Sequence, residues 1–455
     1  MNVNEYIDYT YNNILCDFTD ASSCNAWRQA HDNIAYPDTP FFSFMMTIYN
    51  DDKLINSSIN SLLKQSYTNW ELIVLDNSDK NDNVWKMLEN AMYADKRIHA
   101  IKSTQSVGWA KGASICLKHA HGIYTTFLAA DDCIDEHALI HVFKILEPEM
   151  PDILWVGVCA TEQNEKGNFA EVGCRIPNKK IWCCDSEKSR IHTIAEIMKD
   201  IYYNSFFHYM NISFLKRHNI DFFEPYYGDC GGMTEAMIHA EKMIAIDNII
   251  YFLTQNTSQT IGWWLNDIVQ SRTAIQWKGI KSISSQNDSN LQDDLHYISR
   301  RLMKNVIAEI PALCAGRCRD KYMNPVQVTG ADIINQLETL LFCDEIAEML
   351  SLSYELFPYL LKAMASISNS EYSFEIEKSP IAPLLRLAIY ENHYDLKQQL
   401  NEMVSWLVCK ENPYYVGFDY FCLLLRQSSY DIKKEYIALY KDIAKKHKED
   451  THSLS

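Results

Sequence analysis

No CxxC pair occurs among the 14 cysteines of this 455-residue chain; Cys183 and Cys184 are adjacent, and Cys314 and Cys318 lie four apart. That spacing gives no support to a zinc ribbon or a dithiol redox motif, and reduced, mostly buried thiols are expected. Positive charge is also scarce: 42 Lys and Arg stand against 59 Asp and Glu, a formal net charge of −17. Such a chain has no general attraction for nucleic acid or anionic lipid. An anionic substrate would need local screening, which a bound divalent cation can supply. No apolar run is long enough to cross a bilayer; the best, MIAIDNIIYFL at 243–253, is short and carries Asp247. The start, MNVNEYIDYTYNN, lacks the basic then apolar pattern of a secretory leader, so a cytoplasmic protein is expected, at most peripheral at the inner face of the membrane. From about Leu265 onward no clean repeat period is evident, so no named helical repeat is expected.

What is present is ordinary globular material, 47% hydrophobic and 22% charged, in a chain too long for one core. Residues 1–40 read as an N-terminal extension ending in a linker, AYPDTPF. The texture then changes. FFSFMMTIY (41–49), WELIVLD (70–76), RIHAIKS (97–103) and IYTTFLAADD (123–132) read as buried strands. Between them KLINSSINSLLKQS, NVWKMLENAMY and GWAKGASICLKHAHG carry apolar residues at helical spacing. Alternation of this kind predicts a mostly parallel, doubly wound α/β sheet. Such sheets bind ligands at the carboxyl ends of their strands, where Asn50, Asp51, Asp76, Asn77, Ser78, Asp131 and Asp132 fall. Further on, EVGCRIPNKKIWCCD reads as a hairpin. From residue 265 to 455 amphipathic stretches predict an all-α domain.

Four features occur in order: YN after the first strand, LLKQSYTNWELIVLDNS, the glycine-containing SVGWAKG, and the ADD strand end. Together they resemble the inverting family 2 glycosyltransferases of GT-A fold, a Rossmann-like mixed sheet with helices on both faces, over residues 41–260. A catalytic domain at 41–264 follows from that resemblance, which leaves the helical part at 265–455 for acceptor selection or homo-oligomer assembly. It implies a nucleotide-sugar donor, UDP-linked, and a glycan, lipid-linked or protein acceptor. It places Thr47, Tyr49 and Asn50 along the nucleotide pocket and gives Asp76 a hydrogen bond from the uracil imide. Gly108 and Lys111 would lie near the diphosphate. Asp131 and Asp132 would hold Mn2+ or Mg2+ against that diphosphate, since oxygen ligands suit hard cations. The general base would be Asp229, with Glu235 and Glu224 as alternates, in EPYYGDCGGMTEAM.

The chain departs from the family pattern at three places. Ala129 stands where a first Asp is usual, and Ala113 and Ser114 stand where Arg and Asn are usual. The segment YFLTQNTSQTIGWW (251–264) has no His, so either Asn256, Thr257 or Ser258 stands in or the metal is held more loosely. A second reading therefore stays open: a catalytically weak or inactive GT-A-like scaffold whose helical half mediates protein interaction.

Overall fold

The computed structural model describes residues 3–379, apart from stretches at 51–53, 79–81, 165, 167, 201–206, 223–227, 256–262, 265–267, 285–290, 317, 320–326, 342, 354–355 and 370–374, together with Leu385. The chain forms two compact units, Met1–Thr260 and Ile261–Ser455.

The strands of the first unit are, in chain order, β1 (Phe42–Ile48), β2 (Trp70–Asp76), β3 (Ile98–Lys102), β4 (Tyr124–Phe127) and β5 (Cys133–Ile134). They continue as β6 (Ile153–Gln163), β7 (Phe169–Arg175), β8 (Lys180–Cys183), β9 (His208–Asn211) and β10 (Lys242–Gln255). Its helices are α1 (Val3–Asn12), α2 (Ala21–Ala30), α3 (Ile55–Leu63), α4 (Asp82–Ala94), α5 (Trp109–Lys118), α6 (Ala138–Glu149), α7 (Glu187–Asp200), α8 (Ile212–Arg217) and α9 (Gly228–His239). One mixed sheet runs β3-β2-β1-β4-β9-β6-β10-β5. Its first four strands are parallel, as the βα alternation requires. β9 then enters antiparallel to both β4 and β6, and β10 runs parallel to β6. The expected hairpin at 171–185 does not form: β7 pairs with β6 and β8 with β10. Its two halves find edges that only the folded sheet offers.

Burial explains the apolar runs. Every residue of β2 and all but Thr47 of β1 are buried. Phe42, Phe44, Met46 and Ile48 join Trp70, Leu72 and Val74 in one cluster with Trp27, Ile59, Leu88 and Val142 from α2, α3, α4 and α6. The other face takes α5, so closely that a Cβ on Gly112 would lie 2.7 Å from Thr47 Cγ2. The first forty residues belong to this unit. Asn60 Oδ1 accepts the N–H groups of Leu15 (2.7 Å) and Cys16 (2.9 Å). Lys64 Nζ donates to the carbonyls of Tyr9 (3.0 Å) and Thr10 (2.8 Å) in the last turn of α1.

The described part of the second unit is helical: α10 (Ile268–Ser282), α11 (Gln292–Cys314), α12 (Gly330–Leu341), α13 (Asp344–Leu352) and α14 (Phe357–Met364). A short parallel pair joins Trp263–Trp264 to Cys318–Arg319. Trp277 is buried, and its indole N–H donates to Glu348 Oε2 at 2.9 Å. Apart from Leu385, the helices expected beyond residue 379 lie outside the described residues. Among the described residues no helix is long and apolar enough to cross a membrane.

Candidate active site

Parallel β1, β2 and β4 end on the same edge, with Ile48 opposite Asp76 and Asp76 opposite Lys102. Short hydrogen bonds tie these ends together. Asn77 N–H donates to Ile48 O (2.8 Å), and Asn50 N–H donates to Ser78 Oγ (2.9 Å). Asp76 is buried, and its Oδ1 accepts Ser78 N–H at 3.0 Å. Asn77 Oδ1 accepts Val107 N–H at 2.7 Å, which draws the loop before α5 onto the same edge. Two residues there have left-handed backbone: Asn50 (φ 53°), a type that tolerates it, and Gly108 (φ 79°), immediately before α5. Thr47, Tyr49, Asn50 and Gly108 are half-buried, and Lys111 is exposed in the first turn of α5.

The acidic turn departs from expectation. β4 ends at Phe127, so Asp131 and Asp132 lie in a turn rather than on the strand. Ser58 Oγ on α3 holds that turn, within hydrogen-bonding reach of the carbonyls of Ala130 (2.8 Å), Ala129 (3.2 Å) and Asp132. Tyr251 Oη accepts Ala129 N–H (3.1 Å) and donates to Asp132 Oδ2 (2.7 Å). Thr254 N–H donates to Asp132 Oδ1 (2.7 Å), and Thr254 Oγ1 donates to the carbonyl of Asp131. Behind them the Tyr11 hydroxyl meets Thr254 Oγ1 at 2.8 Å. Asp132, expected beside Asp131 as a metal ligand, is therefore turned into the core, 2% exposed, with both oxygens engaged. Burial, and after it the charge of Asp131, push its carboxyl well above the usual range. Asp131, in the same turn, stays half-buried. Asp131 offers an oxygen donor of the kind a hard divalent cation takes, and Asp132 anchors the turn. Ser58, Tyr251, Thr254 and Tyr11 were not foreseen. The sequence signal for Tyr251 and Thr254 is the pair of hydroxyl residues in the otherwise apolar run IIYFLT; Ser58 and Tyr11 carry none.

The third element is α9. Asp229 was expected on a loop before a helix; it is the second residue of α9 itself, in the first turn, where the helix end carries partial positive charge. Glu235 is exposed and faces its own helix neighbour, His239 Nε2, at 3.3 Å. Glu224, Asn256, Thr257 and Ser258 lie outside the described residues. Ser114, standing where Asn was usual, donates to Asp221 Oδ2 at 2.8 Å and links α5 to the segment that precedes α9. A Cβ on Gly232 would lie 2.7 Å from Phe222 Cδ1, so glycine lets α9 pack against that segment.

Comparison with known proteins agrees with this architecture. Residues 43–202 match the family described as Glycosyl transferase family 2. The chain is 37% identical over 95 residues to the Escherichia coli UDP-Glc:alpha-D-GlcNAc-diphosphoundecaprenol beta-1,3-glucosyltransferase WfgD, covering 21% of this chain and 36% of that protein. It is 25% identical over 127 residues to glycosyltransferase GlyG of Streptococcus pneumoniae, covering 28% of this chain and 42% of the relative. The chain thus spans well under half the length of these curated relatives. The crystal structure of S. aureus TarS 1–349 in complex with UDP-GlcNAc superposes with a TM-score of 0.53 at 15% identity, covering 78% of this chain and 93% of that one. That likeness shows a shared GT-A fold.

Proposed function

Because residues 43–202 match the family described as Glycosyl transferase family 2, we propose that the protein moves a sugar from a UDP-sugar to an acceptor hydroxyl with inversion. One observation carries this reading: the ends of β1, β2 and β4 bring Asn50, Asp76 and Asp131 to one edge, beside the glycine turn that opens α5. Tyr49 and Asn50 line the nucleotide, and Asp76 accepts the uracil imide N–H through the oxygen that Ser78 does not hold. Gly108 lets backbone approach the diphosphate, with Lys111 as its nearest cation on α5.

In the reaction the acceptor oxygen attacks the anomeric carbon from the side opposite the diphosphate. The new C–O bond forms as the bond to the diphosphate oxygen breaks, and the hydroxyl proton passes to a carboxylate, which we assign to Asp229. Asp131 would hold Mn2+ or Mg2+. The chemistry such an ion supplies is neutralisation of charge on the departing diphosphate. Ser58, Tyr251, Thr254 and Asp132 position Asp131 by fixing the turn that carries it.

The test is release of UDP from UDP-sugars with Mn2+ present, in the full chain and in Asp131→Ala and Asp229→Asn. Both variants should keep the circular dichroism of the parent. Turnover should fall at least about 100-fold in each, while Asp229→Asn still binds UDP. Undiminished turnover in Asp131→Ala refutes the site. Binding of UDP without turnover in the parent favours the scaffold reading that Ala129, Ala113 and Ser114 suggest.

A further inference from the structure

A second cluster of ligating groups lies on the β6–β7 pair. Cys159 stands directly opposite Cys174 in the antiparallel register. Glu171 is three residues before Cys174 on β7, a spacing that in a regular strand would put the two on opposite faces. The register shift removes that obstacle. Ala160 pairs with Gly173 and Thr161 with Glu171, so Val172 is an extra, bulged residue. Val172 is 53% exposed, and its insertion returns Glu171 to the face that carries Cys159 and Cys174. The two Sγ atoms and a carboxylate oxygen of Glu171 lie within 4.8 Å of one another. The Cys174 thiol points at Glu171 Oε1, 3.2 Å away. The neighbours hold this arrangement in place. Glu171 N–H donates to Asn4 Oδ1 of α1 at 3.1 Å, and Cys159 packs with Ile7, Tyr11 and Phe169.

We propose that Cys159, Glu171 and Cys174 bind one thiophilic divalent cation, Zn2+, as a structural clip between β6, β7 and the helix packed on them. Two sulfur donors with one carboxylate select Zn2+ over Mg2+ or Mn2+, so this site and the oxygen-lined turn at Asp131 sort different metals. Cys159 is buried, Cys174 half-buried and Glu171 exposed, which leaves the fourth tetrahedral position to water on the Glu171 side. Binding releases both thiol protons to solvent and needs no oxidant. A Cys159–Cys174 disulfide is the competing use of the same thiols. The bulge favours the cation, because a disulfide has no need of a third donor.

The site stands independently of the transfer reading and is tested without turnover. The full chain, stripped with chelator under reductant, is titrated with Co2+ and followed by absorbance and circular dichroism. One equivalent should produce a thiolate-to-cobalt charge-transfer band, displaced by Zn2+ and untouched by excess Mg2+. Cys174→Ser, folded by circular dichroism, should lose the band. Glu171→Gln should keep it with affinity reduced about tenfold or more. Absence of the band in the parent, full amplitude in Cys174→Ser, or a Cys159–Cys174 disulfide in freshly purified protein each overturns the proposal.

Discussion

Glu71 is a buried carboxylate on which three segments converge, and its replacement tests whether hydrogen bonding or apolar burial registers the first strands. Its Oε1 accepts Ser43 Oγ–H (2.6 Å) and His121 N–H (2.7 Å), and its Oε2 accepts the Tyr36 hydroxyl and meets His121 Nδ1 (3.3 Å). Ser43 Oγ in turn accepts Gly122 N–H at 2.8 Å, just before β4. Glu71→Gln keeps the volume and one acceptor oxygen. It turns charge-assisted bonds into neutral ones and sets an amide N–H against the Tyr36 hydroxyl. At about 1 kcal/mol for each of three bonds, the loss near pH 7 is about 3 kcal/mol. The pH dependence has a definite sign. Burial opposes ionisation of Glu71, but the bonds from Ser43, Tyr36 and His121 outweigh it and hold the carboxyl below its usual range. A group whose folded value is depressed contributes fully above its unfolded value, about 4.3, and loses that contribution as pH falls through the folded one. Hydrogen exchange of β1 and β2 amides reads the effect inside one unit of a two-unit chain. In Glu71→Gln those amides should exchange about 100-fold faster at pH 7, the equivalent of the 3 kcal/mol above. The gap should close on acidification below about pH 4.5. A gap under about 1 kcal/mol at pH 7, or one that persists unchanged at pH 3, refutes the reasoning.

Tyr251→Phe removes the acceptor of Ala129 N–H and a donor to buried Asp132, costing about 2–3 kcal/mol in urea unfolding and weakening UDP binding measured with Mn2+ by calorimetry. Gly112→Ala drives a methyl against Thr47 and Leu75, with Cβ approaches of 2.7 and 3.1 Å, so the melting temperature should fall by the equivalent of about 1–3 kcal/mol despite the better helix former. Asp95→Ala strands Arg97, buried over the Trp70 ring at 3.8 Å and paired with Asp95 at 2.7 Å; unfolding by urea should show a loss of about 3–5 kcal/mol.

The first four strands were readable because parallel strands buried on both faces appear as unbroken apolar runs, as β1 and β2 do. The insertion of β9 between β4 and β6 was not readable, because a four-residue strand carries no mark of its partners. The false hairpin has the same origin: PNKK is good turn chemistry, but pairing is decided by edges that form elsewhere in the sheet. The site shows the limit most sharply. Asp131 and Asp132 are adjacent, identical in chemistry and indistinguishable as a pattern. Which of them stays partly exposed is decided by Tyr251 and Thr254, more than a hundred residues on, whose hydroxyl and N–H groups satisfy one carboxylate inside the core. Ala129 belongs to the same logic. In the sequence it is a missing carboxylate; in the structure its main-chain N–H, not its side chain, binds Tyr251 and completes the turn. The departure from the family pattern thus leaves the scaffold of the acidic turn whole. It narrows the turn's outward chemistry to Asp131, which is why replacing Asp131 is the decisive substitution for the transfer reading.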